Sequence, residues 1–551
     1  MKAWLLVSSL CLSTFIAALE QTIISTAAES ISRSLHTTEL EFTWIGTAYL
    51  LPAAASTPPW GKLSDIFGRK PVLMISIVVF FIGSLIGALA INIDMLIAGR
   101  VIQGTGGGGI LGLSATVIGD VFSPRERSKY YGVLGVTWGV ACGLGPIVGG
   151  AFCQYVSWRW CFWINRTSLP QSSPNPLNLT TSVPVAGVAG ALVLLFLEVH
   201  TPRTPIIEGL LAMDWLGTIT IVGATVMFLL GLGYGGIAYP WNSATVVCLI
   251  VFGIGDNRRL RPDRMEGRQV LDHAAAPVQI PPPISPPSAS AYIHGLRLHR
   301  PTLYYPPAVL SRSCSAPPRS LSGVYLLPVA VTLCVASTAT GLYISHSGRY
   351  RPPIYFGLVM MILGHGLYIN LQPYASWARI IIFQIIAGLG LGPLFQAPII
   401  AIFSLTKPAD TASAAATVFF ARDIATAMSI VFGGVIFQNR IRAFKSDIEG
   451  VVSPELTELI TSGGATTASD QIRALPAAAR SLVRDRYNTA LRSEWIFYTA
   501  LSGAALLLSV FISKQVLSRD HKMNKTGLDV QEASRLEELE KEKKAAATDA
   551  V

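Results

Sequence analysis

Long apolar runs alternate with short polar turns along almost the whole chain. Runs of spanning length fall at about 3–24, 42–60, 71–91, 95–119, 129–153, 183–199, 214–235 and 243–255, then at about 321–345, 354–372, 377–403, 413–437 and 494–513. Roughly 20 apolar residues in a helix cross a bilayer. The pattern therefore predicts thirteen clear spans in an all-α integral membrane protein. The first run starts like a signal peptide, but it continues to Ile24 and is read as the first span.

Thirteen is an awkward number. Short loops rich in Lys and Arg mark the cytoplasmic side, and such loops stand at 61–70, 123–129, 200–203 and 345–351, with a basic tail from Lys514 to Lys525. Those up to 203 alternate correctly if the N-terminus is cytoplasmic. The loop at 345–351 and the tail join them only if one more crossing lies between Gly255 and Leu321. Residues 256–320 do not read as a span, because Asp256–Arg264 is a charge run and Pro281–Pro287 excludes a helix. The segment is either a disordered cytoplasmic linker or an aberrant stretch replacing an expected helix, as a shifted frame or retained intron would produce. The polar interlude at 166–182 is a milder case.

Composition supports the bilayer reading. The 551 residues are 51% hydrophobic and 13% charged, against about 25% charged in a soluble protein. The net charge of +10 sits in loops and tails, which excludes nucleic acid as the expected partner. The seven cysteines lack metal or redox spacing, so no metal is expected and they serve as packing residues. Gly104-Thr-Gly106-Gly-Gly-Gly109 matches a dinucleotide fingerprint, but no strand precedes it. No Walker loop is present, no cofactor is expected, and nothing in the chain suggests an enzyme.

Several polar residues inside the runs carry candidate chemistry. Glu20, followed by Gln21-Thr-Ile, places a carboxylate within the first span, where ionisation is costly and a carried proton is favoured. Arg100 and Gln103 are three apart on one helix face, and an arginine there needs a carboxylate or carbonyl partner. The turn Gly61-Lys-Leu-Ser-Asp65-Ile-Phe-Gly68-Arg69-Lys70 combines both charge signs with hinge glycines, as a gate would. In the fifth run Gly135, Gly139 and Gly143 repeat every four residues, and Gly145, Pro146, Gly149 and Gly150 follow. That predicts a bare, bent helix suited to sliding contact. Gln21, Trp44, Tyr49, Trp138, Gln396 and Arg422 are candidates for an amphipathic substrate cavity. Asn165 and Asn178 are glycosylation sequons.

These residues together resemble the major facilitator superfamily, in its fourteen-span drug/proton antiporter branch of fungal toxin and multidrug efflux type. The 61–70 turn resembles the signature between helices two and three, Arg100-x-x-Gln103-Gly104 the fourth-helix motif, and the Gly/Pro-rich fifth run the antiporter motif. Glu20-Gln-Thr-Ile resembles a first-helix motif in which aspartate is usual. The resemblance implies two six-helix bundles as internal repeats (1–199 and 321–513) with two extra helices between them (200–255). Fourteen spans are expected in all, the missing one lying within 256–320, and 514–551 forms a cytoplasmic tail. Gly341–Pro352 is then a weakened copy of the gate, and Arg440–Ser493 a long outside loop. It further implies that Asp65 and Arg69 form a charge network with Asp120, and that Arg100 couples proton influx to substrate exit. The expected function is proton-coupled efflux of amphipathic small molecules by a monomer in the plasma or vacuolar membrane, with both termini cytoplasmic and the proton gradient as energy source. An uptake carrier and a transport-inactive gene product are the alternatives.

Overall fold

A computed structural model describes residues 2–37, 39–163, 185–197, 202, 204–236, 239–259, 326–371, 377–406, 411–462 and 469–519. The expectations for 256–320 beyond residue 259, for 166–182, and for the sequons at Asn165 and Asn178 lie outside them. The first half contains α1 (Lys2–Leu35), α2 (Glu39–Phe67), α3 (Arg69–Ala88), α4 (Ile93–Val121), α5 (Arg127–Tyr155), α6 (Trp160–Trp163) and α7 (Val185–Phe196). Then come α8 (Ile206–Leu211), α9 (Trp215–Tyr234) and α10 (Ala244–Arg259). The second half contains α11 (Leu327–Ser347), α12 (Arg351–Ile369), α13 (Trp377–Leu405) and α14 (Thr411–Arg442). It ends with the short α15 (Lys445–Glu449), α16 (Pro454–Ser462) and α17 (Ser469–Ala474), followed by α18 (Ala477–Ser509).

A helix occupies each of the thirteen apolar runs. Nine of the helices among the described residues are long and apolar enough to cross a membrane. The other four fall short for visible reasons: α2 carries Pro52, Pro58 and Pro59, α7 and α10 are short, and α18 is charged before Trp495. Residues facing outward are apolar, as in Leu216 and Ile219 on α9 and Val331 and Val335 on α11, which is the surface that lipid tails solvate.

Two departures from the sequence expectation concern the C-terminal half. Residues 440–493 are not a plain loop. Phe437, Ile441, Ile448, Val452, Leu456, Ile460 and Val483 form a small apolar core of their own, because the polar residues there are spaced to leave one face of each short helix apolar. The last span ends at Ser509 rather than 513. The chain after it lies against the turn at 348–350, where Tyr350 donates to the Ser513 carbonyl (2.7 Å) and Leu517 N–H donates to Gly348 O (3.0 Å).

Glycine sets how closely the helices approach. A Cβ on Gly83 would stand 2.6 Å from Gln103 Cα, and one on Gly109 would stand 2.7 Å from Ser76 Cβ, so α3 and α4 touch backbone to backbone. The second half repeats this at Gly364, whose added Cβ would stand 2.8 Å from Ala387 Cα. Arg100-Val-Ile-Gln-Gly-Thr-Gly-Gly-Gly-Gly109 on α4 aligns with Gln384-Ile-Ile-Ala-Gly-Leu-Gly-Leu-Gly-Pro393 on α13. In both, alternate glycines serve two neighbours: Gly104 and Gly108 meet α2 and Gly106 meets α3, while Gly388 and Gly392 meet α11 and Gly390 meets α12. The halves are therefore structural repeats, with α2–α5 matching α11–α14.

Candidate functional site

Three features stand inside this frame. The first is within the N-terminal half. Arg100 and Glu20 are each 1% exposed, and Arg100 Nη1 donates to Glu20 Oε1 at 2.8 Å. The same nitrogen donates to Gln103 Oε1 at 2.8 Å, and Gln103 Nε2 donates to Ser84 Oγ at 2.7 Å. Aromatic faces cover the guanidinium, Tyr49 at 4.7 Å and Phe162 at 5.8 Å. The i, i+3 spacing brings Arg100 and Gln103 to one face, and the Gly83 gap lets Ser84 reach them. With water excluded, the pair attracts strongly but is also costly to break by removing one partner, about 3–5 kcal/mol. Glu20 is thus not a hydrated carboxylate at the membrane edge. Ser84 was not among the sequence candidates; its signal was the glycine before it.

The second feature is the turn at 61–70. Gly68 adopts φ 90°, where a side chain would be strained. This lets the chain reverse between α2 and α3. Arg69, 0% exposed, donates through Nε to Asp120 Oδ2 (2.8 Å) and through Nη1 to Asp65 Oδ1 (2.6 Å) and Ser64 Oγ (2.7 Å). Lys70 donates to the Leu194 carbonyl at 2.7 Å. The network is internal to the N-terminal half, where it fixes the end of α2 against α3 and α4. What crosses to the other half is Gly61, whose added Cβ would lie 2.9 Å from Ala416 Cβ on α14. At the corresponding turn, Gly348 has φ 69° but Ser345 replaces the acid and Arg349 is exposed. Arg125 of the α4–α5 loop instead crosses over, donating to the carbonyls of Ser345 (2.7 Å) and His346.

Gly61→Ala should wedge this contact apart. Overpacking of that kind costs about 1–3 kcal/mol. A transport rate several-fold below wild type is expected, with Ala416→Gly in the same protein restoring it. A double variant as slow as the single one would show that the Gly61–Ala416 contact does not limit transport.

The third feature lies along α5, whose glycines divide between two partners. Gly132, Gly135, Gly139 and Gly143 face α11, with Gly139 opposite Cys334 and Gly143 opposite Ala330. Gly145 and Gly149 face α1 instead, and Gly150 is buried. Thr22 and Thr26 of α1 donate to the carbonyls of Ala141 (3.1 Å) and Pro146 (3.3 Å), pinning α1 to the helix around its proline. The smooth groove is therefore the 132–143 face, while the motif's later glycines join helices within one half.

A small cavity of about 30 Å³, room for one or two waters, lies where α1, α4, α5, α13 and α14 meet. Trp138, Gln396 and Arg422 line it, as do Thr14 and Phe419. Tyr49 does not. It is 0% exposed, its hydroxyl donates to Ala17 O (3.2 Å), and it belongs to the Arg100 cluster together with Gln21, which reaches that hydroxyl. Trp44 borders a separate cavity of about 40 Å³ against α9. Helix rotation, which a single sequence does not reveal, separates these aromatics from Trp138.

Two repeated helical bundles and buried ion pairs define a polytopic membrane protein with the architecture of a secondary transporter. A family model for the Major Facilitator Superfamily matches residues 10–166. The chain is 42% identical to the MFS-type transporter ppz2 of Metarhizium majus, over 99% of this chain and 91% of that protein. It is also 42% identical to the efflux pump dotC of Dothistroma septosporum (strain NZE10), over 95% of this chain and 86% of that one. The protein belongs to the major facilitator superfamily, and its relatives are fungal transporters and efflux pumps. The fold agrees with that of the proton:xylose symporter XylE, with TM-score 0.56 at 14% identity over 93% of this chain and 96% of that one.

Proposed function

We propose that the protein exports amphipathic small molecules, of the drug, toxin or secondary-metabolite type, in exchange for protons. The observation that carries this reading is the sealed Glu20–Arg100–Gln103–Ser84 network, supported by relatives named as efflux pumps. A carboxylate held by an arginine in a dry interior is a proton site with two defined states. Ionised, Glu20 neutralises Arg100; protonated, it releases a guanidinium that must find another partner or water. Tyr49 lies over Arg100 at 4.7 Å, so a guanidinium released by Glu20 still rests on an aromatic face. The groove on α5 supplies the surface over which the halves move, and the 61–70 turn closes the cytoplasmic end. In this reading the protein works as a monomer in the plasma or vacuolar membrane with both termini in the cytoplasm.

The test is export of a fluorescent amphipathic compound from an efflux-deficient host. Export should stop when a protonophore collapses the gradient. Glu20→Gln, fixed in the protonated shape, should lose at least tenfold in gradient-driven export while still exchanging substrate at equilibrium. Export unaffected by the protonophore would remove the antiport mechanism, and accumulation instead of export would favour an uptake carrier.

A further inference from the structure

We propose that the cavity between the halves selects aromatic weak acids: flat ring systems carrying an ionised carboxylic acid or phenol, with a hydroxyl elsewhere on the ring. This rests on the cavity being the transport site, which holds only one or two waters in the closed arrangement seen here and reaches ligand size when the halves part around it. Among the described residues, Arg422 is the one charged side chain lining it. Arg422 is 6% exposed, and its Cζ lies 4.4 Å from the Phe419 ring, 5.5 Å from Trp138 and 5.9 Å from Phe395. Asp423 contacts its Nε at a loose 3.6 Å and does not line the cavity. The guanidinium, with five donors in a planar fork, is therefore steadied from one side by Asp423 and flanked by aromatic faces on the other. A carboxylate or phenolate matches the fork, and a ring beneath it stacks on Trp138 or Phe395. A cationic ligand would meet like charge with no acid in the wall.

The remaining polar atoms refine the ligand. Gln396 and Thr14 are 1% and 5% exposed, and Gln396 Oε1 and Thr14 Oγ1 have no hydrogen-bond partner. Gln396 Nε2 is engaged by the Ser337 carbonyl, so its oxygen is the atom left to accept. A buried carbonyl oxygen without a donor is costly, and a ligand hydroxyl supplies that donor. Thr14 can give or take a second hydrogen bond. The cavity thus offers a cation, an acceptor and apolar ring faces within one small space, a set that neither a plain hydrocarbon nor a quaternary amine would satisfy.

Equilibrium dialysis of the purified full-length protein, without a gradient, tests this with three probes built on one hydroxynaphthalene ring system. 6-Hydroxy-2-naphthoate should bind at least tenfold more tightly than its methyl ester and than 6-hydroxy-2-naphthylmethylammonium. Arg422→Gln should weaken the acid about 10- to 100-fold and leave the ester within about threefold. If Arg422→Gln also loses the ester, the fold has suffered; Arg422→Lys then serves, and should retain a reduced preference for the acid. Equal affinity of the wild type for acid and ester, tighter binding of the ammonium, or an acid preference that survives Arg422→Gln would each overturn the proposal. The outcomes separate from those of the transport reading. Absent proton-driven export with acid preference intact sinks the antiport mechanism alone, and export of neutral or cationic compounds with no acid preference sinks this inference alone.

Discussion

Arg100→Ala is expected to abolish gradient-driven export, by about two orders of magnitude, while the protein still inserts in the membrane. The substitution strands Glu20, which is 1% exposed, with no cation. Leaving one member of a buried ion pair unpartnered costs about 3–5 kcal/mol, so Glu20 is driven to keep its proton and stops cycling. The melting temperature should fall as well. Adding Glu20→Gln should restore thermal stability by removing the stranded charge, but it should not restore export. Measuring melting and export on the two variants separates the structural from the coupling role. Normal export by Arg100→Ala would refute the assignment, and so would export restored by the second substitution.

Arg69→Ala should be nearly as damaging, by a different route. The guanidinium is fully buried between Asp65, Asp120 and Ser64. Its loss leaves two carboxylates facing each other without the guanidinium that bridges them, a repulsion in addition to the unpaired-charge cost. The end of α2 would then drift from α3 and α4 and no longer present Gly61 to α14. Export should fall about 10- to 100-fold. Arg69→Lys should recover only part of it, because one ammonium replaces a fork that reaches two acids from separate nitrogens. Asp65→Asn and Asp120→Asn together with Arg69→Ala should recover stability without recovering export. A single Arg69→Ala variant with wild-type melting and export would show that the network is ornamental.

What could be read from the chain depended on whether the chemistry was local. The 61–70 turn, the Arg100-x-x-Gln103 pair and the glycine repeat of α5 are written within one helical turn or one reversal, and the structure places their members together. Partners on other helices were harder. Ser84 and Thr14 are ordinary small polar residues whose meaning comes only from what packs on them. Trp44, Tyr49 and Trp138 looked alike in sequence, yet they fall in three different surroundings because each helix is turned differently. Arg125 was legible as a loop cation, but its seat on the α11 carbonyls was not. The α4 and α13 repeat was present in the sequence throughout, visible once alternate glycines were compared. The α15–α17 segment was misread because balanced charge hid an apolar face.

The position of α9 carries one more consequence. It packs against both α2 and α14, filling the line where the two halves meet, with Trp44 edge-on to Tyr234 at 6.0 Å. Leu216 and Ile219 on its outer side face the hydrocarbon. The helix therefore acts as a gasket. An acyl chain or a dissolved solute cannot slip sideways between α2 and α14 while α9 is seated. The gap of about 40 Å³ beneath it, lined by Trp44, Leu229 and Val431, is the slack in that seal.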